Sequence, residues 1–337
     1  MRILLVNPRS SFLIDPMVFA PLGLWFVGSA IRHHHLDYVD LNIDELPLGY
    51  DAYLVTGTTP QLASMLEVAK QANGVLIAGG PHATIRPQDL IQGGYDYVVQ
   101  GEGEMVINQI LAGNERKGII SVERIQDMCI IPHPIRAWGH RYHYTLDGKK
   151  ATHAVLSRGC TYQCAFCLPG LWNRRVTYTT LDWVSDELSS IKNLGYEGVM
   201  FYDDTFTAHK PRLNLIAKIL SQRGLIWRCF VRADTVDVGV ANTLADNGCV
   251  EVGMGVESGS NEILKNIHKG ETIEEITRAT KLLKSAGIRV KAFLIVGLPG
   301  ENKETIEATR RWIEEAKPND FDITLFTPYP GSHIYEH

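Results

Sequence analysis

The chain of 337 residues lacks several features that would place it in a class at once. It has no run of about 18 to 20 uninterrupted apolar residues, the length that a membrane-spanning helix needs. It has no long Lys/Arg run, and its net charge of −5 gives no electrostatic reason to expect nucleic-acid binding. Residues 1–8 show no charged region followed by an apolar core and a cleavage site. We therefore predict a soluble, cytoplasmic protein that has no membrane partner and shows no sign of binding nucleic acid.

Cysteine is also scarce, and its placement is uneven. The chain has six cysteines, of which Cys160, Cys164 and Cys167 lie within eight positions. A disulfide framework would instead spread its cysteines through a small secreted chain, so this clustering indicates a metal site. The others stand alone, and we expect small buried apolar side chains at these positions. They are Cys129, Cys229 and Cys249.

Two regions alternate short apolar strands with helical patterns, which is typical of a parallel α/β sheet. In the first region, strand patterns run from residues 2–7 to residues 97–100, and several of them end in glycine. We predict a doubly wound, Rossmann-like domain over residues 1–115. A linker is predicted over residues 116–150, because periodicity weakens there and prolines appear.

The second region, residues 151–337, repeats the strand–helix pattern six times. Thr180 is placed to cap a helix, and Thr272 with Glu275 forms a capping-box pattern at the start of another. Six βα units predict a partial (βα)6 TIM barrel, a fold that places its chemistry at the carboxyl ends of the strands. The predicted strands are residues 153–157, 198–202, 226–231, 250–254, 290–296 and 322–326.

The three clustered cysteines follow the first predicted barrel strand directly, as Cys160-Thr-Tyr-Gln-Cys164-Ala-Phe-Cys167. Three thiolates on one short loop are able to bind three corners of a cubane cluster, as cysteine runs do in ferredoxins. Structural zinc is the alternative, but it requires a closed set of four ligands, usually as two cysteine pairs. The sequence has no second pair. It therefore predicts a [4Fe–4S] cluster with one iron left open.

The motif CxxxCxxC after the first strand of a partial barrel resembles that of the radical S-adenosylmethionine (SAM) superfamily. The resemblance implies that the open iron binds the amino and carboxylate groups of SAM. It further implies that an electron from the cluster cleaves SAM to a 5′-deoxyadenosyl radical, and that an external donor of the flavodoxin or ferredoxin type supplies this electron. No general acid or base is assignable from the sequence, so we assign no catalytic residue beyond the cluster.

Further segments at the predicted strand ends are similar to SAM-binding segments of this superfamily. By this resemblance, Asp203 or Asp204 meets the SAM amino group, and Arg232 meets its carboxylate, for which Lys269 is an alternative. Plain capping or surface roles are the competing interpretation of these side chains. The other SAM contacts that the resemblance implies are Phe166 beside the cluster, Glu257 and Ser258 at the ribose, and Val296 and Gly297 at the adenine.

The N-terminal region resembles the cobalamin-binding domain that precedes the barrel in one large branch of the superfamily. Glycines at strand ends allow close backbone approach to a ligand that lies over the edge of the sheet. The chain carries no Asp-x-His-x-x-Gly motif after its first strand, so the resemblance implies cobalt held without an axial histidine. A purely structural domain is the alternative. The expected cobalamin contacts are Thr58, Thr59, Gly79, Gly80, Gly101 and Glu102.

If both cofactors bind, the resemblance implies cobalamin-dependent transfer of a methyl group to an unactivated carbon. Radical-mediated cyclisation or rearrangement is the second hypothesis, and a non-catalytic cobalamin or cluster sensor is the third. A methylthiotransferase is disfavoured, because the N-terminal region lacks the extra cysteines it would need. The substrate is not identified. Because the sequence ends soon after the sixth predicted strand, we expect an open pocket that a partner or further chain closes, or a large substrate.

Overall fold

The structure is a computed structural model that describes residues 1–168 and 174–337. These residues form two compact units, residues 1–144 and residues 145–337. None of the helices in the described ranges is both long and apolar enough to cross a membrane.

Within residues 1–144, six parallel strands form one sheet in the order β2-β1-β3-β4-β5-β6. One apolar cluster includes Leu4 and Val6, and a second includes Ile3 and Leu5. Alternate side chains of β1 are therefore buried on opposite faces, which confirms the doubly wound fold. The strands are β1 (Arg2–Asn7), β2 (His35–Asp40), β3 (Ala52–Thr56), β4 (Val75–Gly79), β5 (Tyr97–Gln100) and β6 (Gly118–Ser121). The helices are α1 (Leu22–Ala30), α2 (Leu62–Gln71), α3 (Gly80–Ile85), α4 (Pro87–Gln92) and α5 (Ile107–Leu111).

The first unit extends further than the sequence pattern indicates. Strand β6 lies in the predicted linker, and its four residues are too few and too exposed to show a strand periodicity. Tyr142 lies beyond it, and its hydroxyl donates to Oδ2 of the buried Asp40 over 2.5 Å. The backbone N–H of His143 donates to the carbonyl of Met17 over 3.2 Å. Residues 116–144 thus belong to the first unit and do not form the predicted linker.

Within residues 145–168 and 174–337, seven strands form one sheet in the order β15-β14-β13-β12-β11-β8-β7. All neighbours in it are parallel except β7 and β8. The six parallel strands in these ranges confirm the partial (βα)6 barrel. The strands are β7 (Thr145–Leu146), β8 (Lys149–Ala154), β9 (Ser157–Arg158), β10 (Thr177–Tyr178), β11 (Gly198–Phe201), β12 (Ile226–Val231), β13 (Cys249–Glu257), β14 (Arg289–Val296) and β15 (Asp320–Leu325). The helices are α6 (Leu181–Asn193), α7 (Lys210–Gln222), α8 (Val238–Asp246), α9 (Asn261–Asn266), α10 (Ile273–Ser285), α11 (Lys303–Ala316) and α12 (His333–Glu336).

The first barrel strand begins earlier than predicted, at Lys149 rather than residue 153. It is paired with β7 through a tight turn at Asp147 and Gly148, both of which have positive φ angles, 50° and 70°. An Asp-Gly pair with this backbone is a strong hairpin signal. The predicted helix starts are correct: Thr180 accepts from the N–H of Trp183, and Thr272 forms its capping box.

Candidate functional site

The cysteine loop follows β9 at the carboxyl end of β8 and is held by backbone hydrogen bonds. The N–H of Ala165 donates to the carbonyl of Ile267 over 2.8 Å, and the carbonyl of Ala165 accepts from the N–H of Ile334 over 3.1 Å. Cys160 and Cys164 are partly buried. Burial raises the pKa of the Cys164 thiol, against the opposing effect of two nearby cations.

In residues 1–168 and 174–337, no three His, Cys, Asp or Glu side chains converge closely enough to hold a metal ion. The donor set itself fits an iron–sulfur cluster: the three thiols lie on one loop at the strand ends, and thiolates are the usual ligands of such a cluster. Of the remaining cysteines, Cys229 and Cys249 are buried as predicted, whereas Cys129 is only partly buried.

Two aspartates that follow β11 fix the chain leading into the loop. Asp203 is 2% exposed and accepts from the N–H of Leu156 over 3.1 Å and from the hydroxyl of Ser157 over 2.5 Å. Burial raises the pKa of Asp203 to about 6. Asp204 is exposed and accepts from the N–H of Gly159 over 3.1 Å. Asp203 therefore anchors the start of the cysteine loop from a buried position, whereas Asp204 contacts the loop from an exposed one.

Arg232 follows β12 and its guanidinium contacts the cysteine loop. Its Nη1 lies 3.6 Å from Cys164 Sγ, and its Nη2 donates to the carbonyl of Lys269 over 2.8 Å. Nε and Nη2 donate to Asp234 Oδ1 and Oδ2, each over 3.2 Å. These contacts already engage the donors that the resemblance assigns to the SAM carboxylate.

A buried ion-pair network continues from Arg232. Lys269 Nζ lies 3.0 Å from Glu257 Oε1 and 3.4 Å from Glu271 Oε2, and the same Glu271 oxygen lies 3.4 Å from Arg232 Nη2. Burial lowers the pKa of Lys269, but the carboxylates of Glu257 and Glu271 outweigh that effect and the net shift is upward. Sequence reasoning missed Glu271 because no motif marks it.

Glu257 has a left-handed backbone, with φ at 64°, at an irregularity in the pairing of β13 with β14. Such a conformation is costly for a residue other than glycine, and it is often found at functional sites. A Cβ at Gly255 would lie 2.4 Å from Glu257 Oε1 and 2.9 Å from Lys269 Nζ. Glycine is therefore required at position 255 to leave room for the ion pair.

The other predicted SAM contacts differ in accessibility. Ser258 is fully buried, and its Oγ lies 3.4 Å from Thr309 Oγ1 and accepts from the N–H of Ser260 over 3.2 Å, so it faces α11. Phe166 is partly buried in the cysteine loop. Val296 ends β14, and Gly297 follows it with a φ of 94° and an exposed backbone.

The predicted cobalamin contacts lie at the carboxyl ends of β3, β4 and β5. The N–H of Thr58 donates to Gln61 Oε1 over 3.0 Å, and Thr59 Oγ1 lies 3.1 Å from His82 Nδ1. Glu102 is buried and accepts from the N–H of Ile125 over 2.6 Å, so it fixes the chain after β6.

A small apolar cleft of about 50 Å³ opens beside these strand ends, lined in part by Leu24, Leu54, Gly79 and Gly80. A Cβ at Gly80 would lie 2.4 Å from a side-chain oxygen of β3, and Gly80 has a φ of 88°. Gly101 also has a positive φ, at 101°. A Cβ at Gly101 would lie 2.9 Å from the carbonyl of Val122, so Gly80 and Gly101 are glycines because of close packing within the protein. A Cβ at Gly79 would meet nothing within 4 Å, so Gly79 leaves its strand end open, as a ligand lying over the edge of the sheet would require.

Sequence comparisons identify the family. Residues 154–313 match the radical SAM superfamily. Over its whole length the chain is 30% identical to the uncharacterized methyltransferase PH0819 of Pyrococcus horikoshii, of which it covers 83%. It is 26% identical, over 80% of its length, to the anaerobic magnesium-protoporphyrin IX monomethyl ester cyclase of Rubrivivax gelatinosus, of which it covers 55%. The chain belongs to the radical SAM superfamily.

A solved structure shares the fold of both units. The radical SAM methyltransferase TsrM of Kitasatospora setae, solved with cobalamin and a [4Fe–4S] cluster bound, matches 99% of the chain with a TM-score of 0.79. The match covers 74% of TsrM, at 18% identity. The fold is thus that of a cobalamin-binding radical SAM enzyme.

Proposed function

We propose that this enzyme uses a [4Fe–4S] cluster on Cys160, Cys164 and Cys167 to cleave SAM reductively, and that it transfers a methyl group to a carbon atom with the help of cobalamin. The observation that carries the proposal is the contact between the cysteine loop and the buried ion-pair network at the strand ends, through Arg232 and Cys164. When bound, the cluster supplies the electron for cleavage and cobalamin carries the methyl group.

The charges of the network support SAM as the ligand. Among the described residues Arg232 and Lys269 balance the buried Glu257 and Glu271, and the exposed Asp234 brings the formal charge of the group to −1. An exposed carboxylate beside the site favours a ligand of positive charge. SAM has a formal charge of +1, from its sulfonium, ammonium and carboxylate groups.

The residues of this chain would bind and orient SAM. Lys269 holds Oε1 of Glu257, which leaves Oε2 to accept from ribose hydroxyls. Asp204 would accept from the ammonium group. The exposed backbone at Val296 and Gly297 would lie against the adenine, and Phe166 would cover the cluster.

Cobalamin binding is supported by the N-terminal fold and its open strand ends. The backbone of Gly79, Gly80 and Gly101 would lie against the cofactor, and Thr58 and Thr59 would donate to its polar groups. Glu102 would act indirectly, by holding the backbone at Ile125. No histidine follows β1 at the position of an axial ligand.

Radical-mediated cyclisation is the second candidate, because the chain is also similar to a cyclase. A sensor that binds the cofactors without turnover is a third. Both enzymatic functions require a reductant, and we expect one of the flavodoxin or ferredoxin type.

The test is anaerobic reconstitution followed by measurement of iron, sulfide and 5′-deoxyadenosine after reduction with SAM. We expect about four irons per chain, 5′-deoxyadenosine in the wild type, and loss of both in Cys160→Ala, Cys164→Ala and Cys167→Ala. Cys129→Ala is the matched control and should retain both. Deuterated methyl-SAM separates methyl transfer, which labels the product, from cyclisation, which does not. A protein that binds cobalamin and the cluster but forms no 5′-deoxyadenosine would be a sensor.

A further inference from the structure

Arg232 is placed to act on the cluster rather than on SAM. Its Nη1 is directed at Cys164 Sγ, 3.6 Å away. Its Nε and Nη2 contact Asp234, the carbonyl of Lys269 and Glu271. Because a bidentate contact with a carboxylate needs two of the three guanidinium nitrogens, the engagement of Nε and Nη2 makes Arg232 poorly available for such a contact.

The guanidinium is also fixed in orientation. Its Cζ lies 3.6 Å from the ring centroid of Tyr162, which is within the cysteine loop between Cys160 and Cys164. The side chain of Glu271 is fully buried and that of Arg232 is 7% exposed. An arginine plane held between an aromatic ring and the carboxylates of Asp234 and Glu271 has little freedom to turn toward a new partner.

We propose that Arg232 is a positioning residue that donates an N–H···S hydrogen bond to the Cys164 thiolate and thereby raises the reduction potential of the cluster. This inference rests on the proposed function. Hydrogen bonds to cluster sulfurs are among the factors that set the potential of an iron–sulfur centre. Donation to a sulfur favours the more negative, reduced cluster, so removal of the donor makes reduction harder.

Arg232→Lys is the test, because lysine keeps the positive charge beside Asp234 and Glu271 but loses the planar group that reaches Cys164. The midpoint potential is measured on reconstituted protein without SAM, by titration followed with electron paramagnetic resonance. We expect the ratio of reduced to oxidised cluster at a fixed potential to fall about tenfold, the usual effect of one hydrogen bond to a charged group. For a one-electron couple this equals about 59 mV.

Arg228→Lys is the matched control. Arg228 lies on β12, four residues before Arg232; its side chain is 14% exposed and is also held in an ion pair, with Nε 3.0 Å from Glu251 Oε1. We expect the cluster in Arg228→Lys to have the same midpoint potential as the cluster in the wild-type protein. If Arg232→Lys does not load the cluster, Asp234→Glu decides the question, because it keeps the negative charge but displaces the carboxylate that orients Arg232, and it should also lower the midpoint potential.

Binding of SAM and of decarboxylated SAM is compared in the same variants. We expect Arg232→Lys to change both affinities by the same factor. A fully loaded variant with an unchanged potential overturns the inference, as does a tenfold loss of affinity for SAM alone, which would assign Arg232 to the carboxylate. Absence of iron and sulfide from the wild type is a different result: it overturns the proposed function and this inference with it.

Discussion

Lys269→Met is expected to destabilise the barrel unit strongly. The side chain of Lys269 is 5% exposed, and its ammonium group lies within 3.4 Å of both Glu257 and Glu271. Methionine has a similar length but no charge, so the substitution leaves two buried carboxylates with one cation fewer. Removal of one member of a buried ion pair costs about 3–5 kcal/mol, because the remaining charge is uncompensated. We expect a loss of that size in the free energy of unfolding of residues 145–337.

The measurement is amide hydrogen exchange of peptides from β12 and β13 at increasing guanidinium concentrations, because the signal then comes from this unit alone. Lys210→Met is the control: its ion pair with Asp237, at 2.7 Å, is half exposed and should be worth about 0–1 kcal/mol. Combining Lys269→Met with Glu257→Leu should recover much of the loss. A loss for Lys269→Met no larger than that for Lys210→Met would show that water already solvates the network.

Two further substitutions test the supports of the site. Asp203→Asn should abolish a pH dependence of the free energy of unfolding, because the pKa of Asp203 in the folded protein, about 6, exceeds the ordinary value. The stabilisation by the protonated carboxyl is complete below pH about 4 and is lost as pH rises through about 6. The loss amounts to about 3 kcal/mol. Denaturant titrations between pH about 4 and about 6 measure the free energy of unfolding. If that free energy changes with pH as much in Asp203→Asn as in the wild type, the prediction is contradicted. Gly259→Ala would place a Cβ 2.6 Å from Thr309 Cα and should cost about 1–3 kcal/mol, measured by hydrogen exchange in α11. Gly23→Ala has open space and should be neutral; equal losses in both variants would refute the steric argument.

Much of the architecture was accessible from the sequence because the strands of both large sheets are parallel, except for the pairing of β7 with β8. A parallel strand covered on both faces is a short apolar run, such as Ile3 to Val6, and is recognisable without its partners. The elements that were missed are the ones with little burial. Strand β6 is half-exposed, and the β7–β8 hairpin depends on Asp147 and Gly148, a turn signal that lay within a presumed linker.

The site was less accessible, because sequence spacing predicts position but not partners. The rule that a barrel places its chemistry at the carboxyl ends of its strands correctly located four residues of the site. They are Asp203, Arg232, Glu257 and Ser258. It could not tell that Asp203 and Ser258 turn away to support neighbouring backbone and α11. Whether a polar side chain faces a ligand or its own scaffold depends on contacts between segments distant in sequence.

The distribution of buried charge distinguishes scaffold from site within the barrel unit. Near the amino ends of the strands, among the described residues, Arg228 and Arg289 are matched by Glu251 and Asp147, so this group has no net formal charge. Lys291 lies between Asp320 and Asp322, but those carboxylates are more than half exposed and are therefore solvated. At the carboxyl ends Arg232 and Lys269 balance Glu257 and Glu271, whose side chains are at most 9% exposed, and the exposed Asp234 adds a further carboxylate. Buried ion pairs contribute little net stability compared with apolar side chains of similar size, although the loss of one partner is costly. The stability of the barrel alone therefore gives no reason to bury four charges beside the cysteine loop, whereas the proposed binding of SAM does.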